Sequence, residues 1–315
     1  MVTPKPTTII KVILQVALAL CLLVSTTGCS LLVDSSTPQQ NTLEMEDRFR
    51  NDWQTFKESA VDYNGSPIQL TLLLSGGNAD AEIGIWLFID GIMQPYKVET
   101  DGEEQLMHVF ALPANTDIEV VVTVDPTVGQ AGETLYLSSV FIVNPYSEPS
   151  SDHNSANEQM VLSSAFSVAV IYNVDCTNPD SRLPDTNRME GPYRWGALNS
   201  ISFLINYGMD QFEVHPVSDC LPVKVQFSSS IKTNYRIYVF VNLKPQCFAN
   251  GETSMFVSTQ TNTTTFIDLD LDFSSYQSGE VISVFALVIP LVDYNMPNGT
   301  SNLADRTMVY LFIKQ

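Results

Sequence analysis

From residue 68 onward, short apolar runs alternate with clusters of Gly, Pro, Asn, Asp and Ser. The runs are rich in β-branched and aromatic residues, which favour strands, and the clusters between them are typical of turns. Because no long amphipathic segment separates the runs, the spacing predicts an antiparallel β-sandwich and not a series of βαβ units. The first six predicted strands cover residues 68–74, 83–90, 105–112, 117–125, 134–143 and 159–174.

A different period precedes these strands, in residues 42–60. Phe49, Trp53 and Phe56 recur at i, i+4 and i+7, which is the spacing of one face of a helix. Two acidic residues in the first turn suit the positive end of the helix dipole. The pattern predicts one short helix that packs on the first β-domain.

An internal repeat divides the strand-rich region. Residues 85–90 (IWLFID) match residues 237–242 (IYVFVN), and Gly132-Glu133 recurs as Gly279-Glu280. A later segment matches without gaps, with Tyr146, Pro149, Met160 and Val161 corresponding to Tyr294, Pro297, Met308 and Val309. The period is far longer than that of solenoid repeats. The fold class is therefore predicted to be all-β, with two tandem antiparallel Ig-like β-sandwiches from an internal duplication, at residues 61–172 and 198–315.

Residues 173–197 form the predicted junction, because they have no counterpart in the repeat. Residues 147–157 have a linker-like composition, but their counterpart precedes the last strand of domain two, which predicts a loop within domain one. The junction contains Tyr193, Arg194 and Trp195. An arginine between aromatic residues is typical of protein-binding hot spots and of sugar-stacking sites. The alternative is that these aromatic side chains wedge between the domains and fix their angle.

The N-terminus has the parts of a secretory signal. Lys5 and Lys11 precede an apolar run at residues 12–24, and small residues then lead to Gly28-Cys29. The run is shorter than the about 20 residues that a membrane-spanning helix needs. The Gly28-Cys29 end resembles the lipobox of bacterial lipoproteins. That resemblance implies transfer of a diacylglyceryl group, with fatty acids such as palmitate, to the cysteine thiol and cleavage before the cysteine. It also implies an extracytoplasmic, membrane-anchored location in the cell envelope.

Removal of residues 1–28 as the signal peptide leaves residues 29–41 as a polar tether. The alternative is an ordinary signal peptide with an incidental cysteine. The formal net charge of −20 gives the chain no electrostatic attraction to anionic lipid, so acyl chains on Cys29 would supply the membrane contact. The same charge repels phosphate backbones, so no nucleic-acid partner is expected. With 44% hydrophobic and 16% charged residues, global disorder is excluded.

The chain contains five cysteines, of which Cys21 leaves with the signal and Cys29 carries the lipid. Cys176, Cys220 and Cys247 remain. In an oxidising compartment one pair of them would form a disulfide and leave a third thiol. The alternative is three buried thiols that pack as small hydrophobic side chains.

Three carboxylates, Asp268, Asp270 and Asp272, alternate with Leu269 and Leu271. Period-two spacing places the three on one face of a strand. A calcium site is one interpretation, since Ca²⁺ binds several carboxylate oxygens. However, same-face neighbours along a strand are roughly 7 Å apart, whereas calcium ligands surround the ion. A solvated outer face is therefore favoured, with calcium as the weaker alternative.

No catalytic constellation emerges from the sequence. His108, His153 and His215 are far apart, and Ser229-x-x-Lys232 lacks the companion motifs of the penicillin-interacting enzymes. We therefore expect a protein that is not an enzyme and needs no cofactor.

The favoured function is a lipid-anchored surface protein that binds an unknown protein partner or acts as a spacer. A carbohydrate-binding module, with an unknown glycan partner and an exposed aromatic platform, is one alternative. An extracellular hydrolase is the other. With the two domains in series, domain two is expected to stand farthest from the membrane.

Overall fold

A computed structural model describes residues 53–98, 102–146, 160–176, 189–192, 199–204, 214–229, 234–248, 251–258, 263–291, 305–306 and 310–315. All of these residues lie in one compact unit, Glu44–Gln315. The described residues form strands and turns and contain no helix. The all-β prediction is confirmed.

The first ten strands build one β-sandwich. They are β1 (Trp53–Phe56), β2 (Ala60–Tyr63), β3 (Ile68–Ser75), β4 (Ala81–Ile89), β5 (Ile92–Gln94), β6 (Tyr96–Val98), β7 (Met107–Leu112), β8 (Asp117–Val124), β9 (Thr134–Val143) and β10 (Met160–Tyr172). All six strands predicted from the apolar runs are present, with ends that differ by a few residues at most. The runs located the strands well because Gly, Pro and Asn clusters end each of them.

The first sandwich has the strand order of an immunoglobulin-like fold. One sheet runs β1-β3-β8-β6, and the other runs β2-β10-β9-β4-β5 with β7 paired to the first part of β4. Strand β2 pairs in parallel with β10, whereas the other pairings are antiparallel. Alternate residues of both sheets point inward and form one core, which includes Leu70, Leu72, Ile85, Leu87, Leu137 and Val170.

The remaining strands build a second sandwich. They are β11 (Met189–Pro192), β12 (Asn199–Leu204), β13 (Val214–Val217), β14 (Cys220–Ser229), β15 (Asn234–Val241), β16 (Lys244–Pro245), β17 (Met255–Ser258), β18 (Thr263–Asp272), β19 (Val281–Pro290), β20 (Asp305–Arg306) and β21 (Tyr310–Lys314). Its sheets run β11-β18-β14-β12 and β13-β21-β19-β15-β16, with β17 paired to β15 and β20 to β19. A separate core fills this sandwich, including Val225, Ile237, Val239, Leu271, Val284 and Phe312.

The two sandwiches share local geometry as well as strand order. The equivalent hairpins β4–β5 and β15–β16 both have two-residue turns with positive φ at both positions, Asp90-Gly91 and Asn242-Leu243. In the loop before β9, the backbone N–H of Gln130 donates to Glu133 Oε2 at 2.9 Å. In the loop before β19, the backbone N–H of Gln277 donates to Glu280 Oε2 at 3.0 Å. The glycines of these two loops, Gly132 and Gly279, both have φ of 88°.

The outer edges of the equivalent strands β8 and β18 are covered by different strands in the two halves. In the first sandwich β6 pairs with β8, and in the second β11 pairs with β18. Strand β11 comes from the predicted junction, residues 173–197, so part of that segment completes the sheet of the second sandwich. In each half a short strand, of 3 residues in β6 and 4 residues in β11, becomes the edge of the sheet, and short edge strands limit pairing with other chains.

The final strands correspond in a different register from the ungapped sequence match. Ile171 pairs with Thr134 at the start of β9, and Ile313 pairs with Val281 at the start of β19, so Ile171 and Ile313 are equivalent. This equivalence does not align Met160 with Met308. Strand β10 has a register shift between Ser163 and Ser167, and a match without gaps does not accommodate that irregularity.

The predicted helix at 42–60 is wrong over the part that the structure describes. Trp53–Phe56 is a strand that pairs antiparallel with β3, and β2 begins at Ala60. Phe56 is buried in the core of the first sandwich. Pairing with an existing sheet satisfies the backbone groups of this segment, and such tertiary context overrides a weak local helical period. Residues 42–52 lie outside the described part of the chain.

A third apolar core lies between the two sandwiches. It contains Trp86, Phe88, Val140, Ile142, Tyr238, Phe240, Phe285, Leu287, Ile289 and Leu311, all from the outward faces of the sheets that contain β4 and β15. The sandwiches therefore pack side by side, sheet face on sheet face. The expected arrangement in series is wrong, because these large aromatic side chains leave water only if the two faces meet.

The buried hydroxyl of Ser139 leads to a prediction about the free energy of unfolding. Ser139 Oγ has no hydrogen-bond partner among the described residues, and Ala286 is the equivalent residue of the second sandwich, since Leu87 pairs with Ser139 and Val239 with Ala286. We expect Ser139→Ala to raise the free energy of unfolding by about 1 kcal/mol, because it removes an unsatisfied polar group. Urea unfolding measures the change. Ser138→Ala at the neighbouring, half-exposed position is the control, and an equal gain there would contradict this explanation.

Candidate functional site

The described histidines have structural surroundings. His108 is buried, its Nε2 lies 2.8 Å from the Tyr96 carbonyl oxygen, and its ring packs on the Tyr96 ring at 4.6 Å between centroids. His215 packs its ring against Phe312, at 6.3 Å. His153 lies outside the described residues. Where the structure describes the chain, no three His, Cys, Asp or Glu side chains are grouped so that they would hold a metal ion.

The three carboxylates of β18 lie on a solvated face. Asp268, Asp270 and Asp272 are exposed, and the intervening leucines are buried. Lys224 Nζ on the neighbouring strand lies 2.9 Å from Asp268 Oδ1. Hydrogen bonds from Ser274 lower the pKa of Asp272, and the Ser274 backbone N–H donates to Asp272 Oδ1 at 2.8 Å. These carboxylates point to solvent, pair with a lysine or hold a turn.

The aromatic pair of the junction lies outside the described residues. Strand β11, Met189–Pro192, runs along the edge of β18 and ends directly before Tyr193, Arg194 and Trp195. These three residues therefore follow an edge strand of the second sandwich in the chain. Their role as a binding site stays a prediction.

The described aromatic residues are mostly buried. Trp86 is 1% exposed, and Tyr96, Tyr172, Tyr235 and Tyr238 are also fully buried. Tyr146 is 65% exposed, at the end of β9. Among the aromatic side chains whose burial the structure describes, it is the one that is strongly exposed, and a single ring does not make a sugar-stacking platform.

Aromatic side chains on the outward faces form the contact between the sandwiches. Trp86 packs on Phe240 with ring centroids 5.1 Å apart, and Phe240 stacks on Phe285 at 4.9 Å with an interplanar angle of 12°. Phe88 meets Tyr238 edge-on at 5.5 Å. Aromatic pairs in these geometries add to the stabilisation that burial alone provides.

Polar contacts flank this cluster at one end. The Tyr238 hydroxyl donates to the Gly91 carbonyl at 2.8 Å and accepts from the Met93 N–H at 3.0 Å. The guanidinium of Arg236 donates to Ser254 Oγ at 3.1 Å. Burial raises the pKa of Tyr238, and the Met93 hydrogen bond and the Arg236 charge act in the opposite direction. The phenol is therefore neutral and able to donate to Gly91.

This cluster is the feature that reading the sequence missed. Residues 83–89 are apolar on both faces, a pattern that by itself indicates only a central strand. The available signal was that both repeats place large aromatic residues, Trp86 with Phe88 and Tyr238 with Phe240, on the same alternate face. A face packed only by its own sandwich needs no such pair in both copies.

The three described cysteines differ in exposure. Cys176 is buried, Cys220 and Cys247 are exposed, and no disulfide joins the three. Cys29 and the remainder of the signal lie outside the described residues, so its acylation stays a prediction. Within the described ranges, no helix is long and apolar enough to cross a membrane.

Comparisons with known proteins find only distant likeness. No protein-family model and no curated protein matches the chain. The solved structures that match include CBD12 from CALX1.2, with 12% identity over 74% of this chain and 79% of that one and a TM-score of 0.20. They also include the Salmonella enterica SafA pilin in complex with the SafB chaperone, with 11% identity, 83% and 96% coverage and a TM-score of 0.25. A protein of unknown function from Porphyromonas gingivalis has 8% identity, 82% and 99% coverage and a TM-score of 0.24. At these TM-scores the likeness carries no argument, and the fold assignment rests on the strand pairings alone.

Proposed function

We propose that this protein is a lipid-anchored surface protein of a bacterial cell envelope, with a non-enzymatic role as a binding module or spacer. The observation that carries the proposal is the Gly28-Cys29 end of the N-terminal signal, which resembles a lipobox. The thiol of Cys29 receives the acyl chains, and residues 29–41 connect them to the folded part. The proposed binding partner is another protein of the cell envelope.

The folded part suits a rigid module. Its two sandwiches bury separate cores and share a third between them, and a shared apolar interface resists relative movement of the domains. The described histidines and carboxylates pack on neighbours, pair with lysine or face solvent, which agrees with a non-enzymatic role. Loops on such rigid β scaffolds are common binding elements.

The two halves derive from one duplicated Ig-like domain in this proposal. Support comes from the matching strand orders, the two positive-φ hairpin turns and the two Gln-x-Gly-Glu loops with the same backbone-to-carboxylate hydrogen bond. A duplication explains why features so far apart in sequence recur together. It also explains why the interdomain aromatic residues recur at equivalent positions.

The experiment that tests the proposal is mass spectrometry of the mature N-terminus from a bacterial membrane fraction. The expected N-terminal peptide begins at Cys29 and carries a diacylglyceryl modification. A mature chain that begins elsewhere, or an unmodified Cys29 in a soluble fraction, contradicts the proposal. In that case an ordinary signal peptide explains residues 1–28.

A further inference from the structure

The contacts between the sandwiches cross over in a regular way. Trp86 and Tyr238 are equivalent, since each lies four residues before its hairpin turn. Phe88 and Phe240 are equivalent because each lies two residues before its turn. Trp86 contacts Phe240, and Phe88 contacts Tyr238. Each ring therefore contacts the equivalent of the other ring on its own strand, and it does not contact its own equivalent.

This crossing pattern is the signature of an isologous interface. In a twofold-symmetric dimer, residue i of one subunit contacts residue j of the other, and j contacts i. Here the same relation holds within one chain, with strands β4 and β15 running antiparallel across the contact. An axis that relates the two halves passes between Leu87 and Val239. Equivalent ends of the two sandwiches consequently point in opposite directions.

We propose that the two sandwiches form an internal dimer with pseudo-twofold symmetry, in which the contact of Tyr238 with the Gly91 turn makes each docking face specific for the other half. The proposal rests on the duplication proposed above, but it does not depend on the lipid anchor. The partner that fits the face of Trp86 and Phe88 is the second sandwich of the same chain.

The specificity arises where the pseudo-symmetry is broken. The Tyr238 hydroxyl bonds the Gly91 carbonyl and the Met93 N–H, whereas Trp86, at the equivalent position, has no hydroxyl. A Cβ atom at Gly91 would clash with Leu291 and would lie 3.2 Å from Arg236 Cβ. The absence of a side chain at Gly91 therefore allows the second sandwich to approach the turn.

The equivalent turn of the second sandwich carries a side chain instead. Leu243 has φ of 65°, a region unfavourable for leucine, and its side chain packs against the interdomain core. Two copies of the second sandwich facing each other would place Leu243 where Gly91 now sits. Two copies of the first would place Trp86 beside the Gly91 turn, and its indole, which donates but does not accept, would leave the Met93 N–H without the acceptor that Tyr238 supplies. Both like pairings are worse than the unlike pairing.

A double-mutant cycle in the full chain tests this inference. The variants are Gly91→Ala, Tyr238→Phe and the two combined, measured by urea unfolding. Gly132→Ala is the matched control, because Gly132 also has positive φ but a Cβ atom there meets nothing within 4 Å. Gly91→Ala is expected to lower the folding equilibrium constant about tenfold more than Gly132→Ala.

The cycle also separates a shared contact from two independent effects. Because Gly91 and Tyr238 touch, their effects are not independent. The folding equilibrium constant of the double variant is expected to fall by a factor at least about threefold smaller than the product of the two single-variant factors. For Gly132→Ala combined with Tyr238→Phe, the folding equilibrium constant is expected to fall by the product of the two single-variant factors. The inference is overturned if Gly91→Ala and Gly132→Ala lower the folding equilibrium constant equally. It is also overturned if, in both cycles, the effect of the double variant equals the product of the single-variant effects.

A larger change at the turn tests the docking itself. Gly91→Leu copies the residue of the equivalent turn, and Gly132→Leu is its control. Gly91→Leu is expected to split one unfolding transition into two, because the sandwiches then unfold separately, while the control keeps a single transition. A single transition for Gly91→Leu at unchanged midpoint overturns the inference. None of these variants touches Cys29, so their outcome is independent of the test of the lipid anchor.

Discussion

Replacing Cys29 with serine is expected to abolish the acylated, cleaved form of the protein completely. The serine hydroxyl does not substitute for the thiol that receives the diacylglyceryl group, so neither acylation nor lipoprotein-type cleavage follows. The uncleaved precursor keeps the apolar run at residues 12–24, so any membrane contact that it retains comes from the signal and not from acyl chains. Fatty-acid labelling of cells that express Cys29→Ser, together with the size of the protein on a gel, measures the loss of the acylated, cleaved form.

Cys21→Ser is the matched control for this experiment. Cys21 lies within the apolar run of the same signal, and the proposed cleavage removes it. The Cys21→Ser protein is expected to remain in the membrane fraction with an acylated Cys29. If Cys29→Ser still yields an acylated chain of mature size, lipid anchoring at this residue is wrong.

Truncating Phe240 to alanine is expected to destabilise the folded part by about 3–5 kcal/mol, the usual range for a buried phenylalanine. Phe240 is fully buried, and its ring contacts Trp86 of the first sandwich and Phe285 of its own sandwich. The cavity would open in the middle of the interdomain core. Urea unfolding followed by circular dichroism measures the loss of stability.

The effect of Phe240→Ala on cooperativity distinguishes an interdomain role from an ordinary core role. Since the side chain faces the first sandwich, the variant is expected to broaden or divide the unfolding transition. Tyr146→Ala, at a 65% exposed ring, is expected to change stability by less than about 0.5 kcal/mol. A similarly small loss for Phe240→Ala would show that the aromatic contact does not hold the sandwiches together.

The strands were predictable because their signals are local. Alternation of apolar residues and clusters of turn residues depend only on neighbours along the chain, and β3, β4, β8 and β9 appear where these patterns place them. The alternation of Asp268, Asp270 and Asp272 with buried leucines was predictable for the same reason. The solvated face of β18 follows from the period of two.

The helix prediction failed where a local signal competed with a distant one. The stripe through Phe49, Trp53 and Phe56 has helical spacing, but Trp53–Phe56 pairs with the edge of β3. That edge is formed by residues further along the chain, so the competing backbone hydrogen bonds are absent from the local pattern. The same reason explains β11, which leaves the junction to complete the sheet beside β18.

The sequence by itself determined the strand positions, the all-β class and the lipobox-like end at Cys29, and it predicted two related halves. Only the tertiary structure decided how those halves meet. The alternation of side chains along a strand shows which face a residue occupies but not what covers that face. It is therefore the same in a lone sandwich and in a pair for Trp86, Phe88, Tyr238 and Phe240. Packing of one sheet face on another buries these rings together, and the Gly91 turn admits the Tyr238 hydroxyl because it has no side chain in the way.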